Sequence, residues 1–178
     1  MGSDSDHVTP PDRNALQPTK AKTMASKSPQ LKLGAFLFST GHHVAAWRHP
    51  AAQADSGVNI KHYIELARAA ERAKFDLVFL EDGLGVRERN VLVSSQTARA
   101  VHFEPVSLLA ALAVQTRQIG LVGTQSTTYF EPYTVARGFT SLDHLSGGRA
   151  GWNMVTSATQ VEAENFGLAD QRLHADRY

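Results

Sequence analysis

The sequence predicts an α/β protein on a parallel sheet, and three observations predict it. Short continuous apolar runs, the kind buried on both faces of a parallel sheet, alternate with segments of helical periodicity. The connections between most of them are short, as right-handed strand–helix–strand crossovers require. The chain has 178 residues, 42% hydrophobic and 20% charged, which suits a single domain able to bury a core.

Residues 31–38 (LKLGAFLF) read as the first strand, closed by Ser39, Thr40 and Gly41. After a long polar connection, Ile60, Tyr63, Ile64, Ala67 and Ala70 recur at helical spacing, with Lys61, Glu65, Arg68, Glu71 and Arg72 on the other face and Asn59 as cap. Residues 76–80 (DLVFL) make the second strand. Pro105 opens a second helix through Leu108, Leu109, Leu112 and Ala113, and residues 119–124 form the third strand. Pro132 opens a third helix that Gly147 and Gly148 stop, and residues 149–155 are the fourth strand. Four units complete a doubly wound open sheet, whereas a (β/α)8 barrel of roughly 250 residues needs eight. Periodicity does not choose between them.

Composition removes several function classes. Lys+Arg 18 against Asp+Glu 17 leaves a net charge of +1, too weak a field to track nucleic-acid phosphates. The absence of cysteine excludes disulfides, iron–sulfur clusters and thiol nucleophiles, and it fits a reducing compartment. No apolar run nears the roughly 20 residues of a membrane helix, and no secretory signal opens the chain. The expectation is a soluble cytoplasmic protein with no membrane or nucleic-acid partner. Residues 1–30 are polar and aperiodic, a disordered tail ahead of one domain over 31–178. An extended leader, a start at Met24 or a cloning remnant all fit that tail.

In either architecture the carboxyl ends of the strands make the site. They carry residues 39–43, then Glu81, Asp82 and Gly83, then 124–129, then 153–157, a polar lining suited to a heterocycle. No G-x-x-x-x-G-K-[ST], G-x-G-x-x-G or G-x-S-x-G motif is present. His42, His43 and His49 match no standard zinc spacing, so no metal site is expected. Glu81 and Asp82 are neighbours on an extended segment, so their side chains should point to opposite sides. Tyr129, Phe130 and Tyr133 read as helix-on-sheet packing, and Arg137 and Arg149 as solvated or ion-paired surface.

The segment 141–157, SLDHLSGGRAGWNMVTS, resembles the signature of two-component flavin-dependent monooxygenases in the bacterial luciferase-like superfamily. Within that superfamily it is most similar to the nitrilotriacetate, EDTA, dibenzothiophene-sulfone and long-chain alkane monooxygenase group. Segments 41–50 (GHHVAAWRHP), 73–82 (AKFDLVFLED), 126–139 (STTYFEPYTVARGF) and 165–178 (NFGLADQRLHADRY) resemble the same group in the same order. The resemblance implies a luciferase-like TIM barrel, with this chain its N-terminal half, truncated after about four β/α units. It further implies reduced FMN (FMNH2) supplied by a separate NAD(P)H:flavin oxidoreductase. O2 would be activated as a flavin peroxide that oxygenates a small organic substrate.

By position it places Asp82 near the isoalloxazine ring, Thr124 and Asn153 at the third and fourth strand ends, and His174 with Tyr178 toward the ribityl phosphate. His42 takes the place of the catalytic histidine of the alkane-oxidising members, able to move a proton near neutral pH. Glu81 departs from the small residue usual before the aspartate. The family continues beyond the His174–Tyr178 block, so a fragment, a truncated product or half of a homo-oligomeric barrel is expected. The alternative is a catalytically inactive flavin-binding or dimerisation module of the same ancestry.

Overall fold

The computed structural model describes residues 30–38, 40–86, 89–98 and 100–177, and its four strands lie in one sheet in the order of the sequence. They are β1 (Gly34–Phe36), β2 (Leu77–Leu80), β3 (Gly120–Ser126) and β4 (Ala150–Val155), and every neighbouring pair is parallel. A doubly wound sheet reverses its strand order at a switch point. The order here never reverses, so the sheet is singly wound, as in a barrel wall. The expected tail falls outside the described residues, and Lys32–Tyr178 form a unit of their own.

Helices α1 (Ile60–Arg72), α3 (Pro105–Ala113) and α4 (Pro132–Ser146) cover one face of this sheet; α2 (Val91–Ser95) and α5 (Gln160–Asn165) are short. Each long helix starts where its chemistry dictates. The Asn59 side chain accepts from the backbone N–H of Lys61 and His62, and the Glu104 carboxylate accepts from Val106 and Ser107 ahead of Pro105. At the end of α4, Gly147 turns left-handed (φ 69°), and the N–H of Gly148 returns to the Asp143 carbonyl. Tyr63, Ala67, Leu108, Leu109, Leu112 and Leu142 of these helices pack on Val78, Leu80 and Leu121 of the strands. Each such fully buried leucine contributes roughly 1.5–3 kcal/mol.

Side chains alternate across a strand, so the remaining strand residues line the opposite face. There Leu77 sits between two glycines: a Cβ on Gly34 would lie 2.9 Å from Leu77 Cδ1, and one on Gly120 would lie 3.1 Å from Leu77 Cβ. In the next layer Phe36, Phe79 and Val122 are in register, and a Cβ on Gly151 would lie 2.8 Å from Val122 Cγ2. Large side chains over glycines, layer upon layer, are how a barrel interior fills.

Several expectations need correction. The first strand is shorter than 31–38: only Gly34–Phe36 pair with β2, and Leu31 is 85% exposed at this sheet edge. Helices α2 and α5, each too short to show a period, were not foreseen. Arg149 is neither solvated nor ion-paired. Its guanidinium donates five hydrogen bonds, to Ser146 O, Ala113 O, Thr116 O, Ile119 O and Thr116 Oγ1, tying β4 to the end of α3. Tyr129 and Phe130 do not pack between helix and sheet; Tyr129 stacks on Phe166 at 4.5 Å, Phe130 meets the same ring edge-on, and Tyr133 is 76% exposed.

Candidate functional site

Four loops meet at the carboxyl ends of the strands. After β1, His42 folds back over the inner face, its ring 4.6 Å from that of Phe36 and its Nε2 3.2 Å from the Phe36 carbonyl. A carbonyl only accepts, so Nε2 carries a hydrogen and Nδ1 is the nitrogen left for proton exchange.

After β2 the paired carboxylates part as expected. Glu81 lines a cavity of about 610 Å³ walled by Leu37, Val44, Tyr63, Leu84 and Phe103, and Asp82 lines a neighbouring one of about 390 Å³. Asp82, with its side chain 14% exposed, lies 3.6 Å from Nε2 of His102. At that distance the contact is longer than a hydrogen bond, and it becomes an ion pair when His102 is protonated. The Asp82 carboxylate holds the His102 pKa above the ordinary imidazole value, against the effect of partial burial, and Glu81 adds to the field.

Thr124 and Asn153 are register partners on β3 and β4. The buried Thr124 hydroxyl donates to Leu80 O at 3.0 Å and accepts from Asn153 Nδ2 at 2.9 Å. Among the described residues no donor reaches Asn153 Oδ1, so an oriented amide carbonyl stands on the inner face above the apolar layer of Phe36, Phe79 and Val122. His174 opens a 3-10 turn (His174–Asp176) beyond α5, and Tyr178 lies outside the described residues. The structure thus joins Thr124 to Asn153 directly and sets His42 and Asp82 on the two preceding strand ends.

Two functional candidates escaped the sequence reading. His102 lies 20 residues from the carboxylate it pairs with, and no local pattern announces that contact. Glu162 was visible as the last residue of a T-x-x-E capping box starting at Thr159. It is 7% exposed and accepts five hydrogen bonds, from Leu84 N, Ser157 Oγ, Ala158 N, Thr159 N and Thr159 Oγ1. Burial pushes its pKa up, but these donors outweigh burial and hold it below the usual carboxylate value. Among the described residues no group of three His, Cys, Asp or Glu could hold a metal, and no helix is long and apolar enough to cross a membrane.

The family profile of luciferase-like monooxygenases matches residues 36–178. N-acetyl-S-(2-succino)cysteine monooxygenase of Bacillus subtilis (strain 168) is 51% identical over 158 residues, 87% of this chain and 34% of the relative. Nitrilotriacetate monooxygenase component A of Aminobacter aminovorans is 47% identical over 84% of this chain and 34% of its own length. The crystal structure of a riboflavin lyase, solved with modified FMN and substrate riboflavin, superposes with a TM-score of 0.75 at 36% identity, over 84% of this chain and 35% of that one. The chain spans about a third of the length of the relatives it matches. With the strand order and the layered inner face, these likenesses establish that the chain belongs to the luciferase-like monooxygenase family of flavin-dependent enzymes.

Proposed function

We propose that this chain forms the flavin-binding wall of an FMN-dependent, two-component monooxygenase. The observation that carries this reading is the Thr124–Asn153 pair over the layer of Phe36, Phe79 and Val122. An apolar floor with an oriented, open amide carbonyl at its edge fits a flat heterocycle whose rim bears N–H donors. The residues therefore suit the isoalloxazine of FMN. When bound in its reduced form, FMN supplies the electrons that activate O2 for oxygenation of a small organic substrate.

The chain's own groups have separable tasks. Thr124 holds the Asn153 amide in one orientation, so that its carbonyl faces the ring edge. Asp82, 3.6 Å from His102 Nε2, places a carboxylate at the second strand end. His42, anchored through Nε2, offers Nδ1 to take up and return a proton. Phe36, Phe38 and the His42 ring form an aromatic cluster at the first strand end. His174 and Tyr178 are proposed to face the ribityl phosphate.

The partner on this reading is a separate NAD(P)H:flavin oxidoreductase; one relative is itself named a component A. The test is an anaerobic titration with photoreduced FMN, followed by admission of O2 in the presence of a reductase. Saturable binding of reduced FMN, tighter than that of oxidised FMN and weakened by Asn153→Ala, is expected. No binding of either form would overturn the reading.

A further inference from the structure

The three proposed flavin-facing positions at the ends of β2, β3 and β4 share one anchor. Two residues after Asp82, the N–H of Leu84 donates to Glu162 Oε1 at 3.3 Å. Four residues after Asn153, the hydroxyl of Ser157 donates to the same oxygen at 3.1 Å. Two residues after Thr124, Ser126 Oγ lies 3.0 Å from Ser157 Oγ, so the β3 end is linked through one hydroxyl. Ser126 and Ser157 are both buried, and Ser157 is held at φ 49°, a left-handed conformation that a non-glycine residue adopts only when its surroundings fix it. The β2 loop also closes on α5 elsewhere: Asn165 Nδ2 donates to Leu84 O at 2.7 Å, and a Cβ on Gly85 would lie 3.0 Å from the Val161 backbone.

The two oxygens of Glu162 divide the work. Oε2 collects Ala158 N, Thr159 N and Thr159 Oγ1, which is the local cap of α5. Oε1 does nothing for that helix; its donors come from the β2 loop and from Ser157. A residue needed only as a cap would leave Oε1 to water.

We infer that Glu162 is a positioning residue of the flavin site, whose Oε1 sets the ends of β2, β3 and β4 relative to one another. The inference rests on the flavin reading above, and Glu71 provides the internal control. Glu71 Oε1 likewise accepts three backbone N–H groups, from Arg117, Gln118 and Ile119, but at the opposite end of the sheet.

Glu162→Gln separates the two roles. Glutamine is accepted at this place in a capping box, so its carbonyl keeps the cap. Its amide nitrogen then faces the N–H of Leu84, donor against donor. FMN titration of the full chain, followed by fluorescence quenching, should show the dissociation constant at least tenfold higher in Glu162→Gln and within twofold of wild type in Glu71→Gln. Ser126→Ala should weaken FMN in the same direction by a smaller factor. Amide hydrogen exchange without flavin should show faster exchange in the 82–86 and 156–159 loops together in Glu162→Gln only. An FMN affinity unchanged in Glu162→Gln, or lowered equally in Glu71→Gln, overturns the inference while leaving the flavin reading intact. If wild type binds no FMN, the flavin reading falls, and the exchange data decide whether Glu162 couples the loops.

Discussion

The two ends of this sheet use the same chemistry for different purposes. At the amino end, Glu71 gathers the N–H groups before β3, Asp76 accepts from Leu33 N and Lys32 Nζ before β2, and Arg149 feeds carbonyls at the end of α3. Among the described residues each of these groups is consumed by the fold. At the carboxyl end, Glu162 is equally engaged, but its neighbours present unspent capacity: the Asn153 carbonyl, the Nδ1 of His42, and carboxylates lining two cavities. Saturated polar networks rigidify. Function needs groups that the fold has oriented and left unused, and among the described residues the carboxyl end of the sheet supplies them.

The largest expected effect comes from breaking the amino end. Arg149→Met leaves the carbonyls of Ala113, Thr116 and Ile119 without their donor, and at about 1–3 kcal/mol per unsatisfied group the loss should reach about 3 kcal/mol in urea unfolding. The folded fraction should still bind FMN with wild-type affinity. Next is Glu71→Gln, expected to cost about 1.5–3 kcal/mol at pH 7, the usual value of hydrogen bonds to a charged group. Burial pushes the Glu71 pKa up, but the donors of Gln118, Ile119 and Arg117 and the charge of Arg149 bring it below the ordinary value. Its contribution is therefore full above the unfolded carboxylate pKa and is lost as pH falls through the lower folded one. The difference between wild type and Glu71→Gln should accordingly vanish in unfolding measured under strong acid.

At the carboxyl end the order of effects reverses. Thr124→Val keeps the shape but removes the oxygen that orients Asn153. It should cost only about 1 kcal/mol of stability while raising the FMN dissociation constant about tenfold, a change of about 1.4 kcal/mol in binding. The smallest effect belongs to His102→Gln. Asp82 raises the His102 pKa, so the pair stabilises fully below the unfolded imidazole pKa and loses its effect as pH rises through the folded value. Thermal unfolding from pH 5.5 to 8.5 should show this decline in wild type and a flatter profile in the variant.

Much of this asymmetry was legible in the sequence, and the illegible parts share a cause. Pro105, Pro132, Asn59 and Gly147 act through their own backbone, so they announce helix ends without tertiary help. The strand ends followed from the elements, and with them Thr124 and Asn153. Arg149 was misread because four carbonyls and the Thr116 hydroxyl, most of them more than 29 residues away, take its donors in place of an acidic partner. Tyr129 was misplaced because its stacking partner Phe166 lies 37 residues away on a segment without periodicity. Strand order, which separates the barrel wall from a doubly wound sheet, is a property of pairing between strands.

The most direct test of the division between the ends is an NMR titration of the isotopically labelled chain with FMN. The account predicts amide shifts concentrated at residues 82–86, 124–128 and 153–159 and around His42, with residues 32–33, 71, 113–119 and 149 unmoved. Shifts of equal size at both ends, or shifts confined to the Glu71 and Arg149 end, would contradict it.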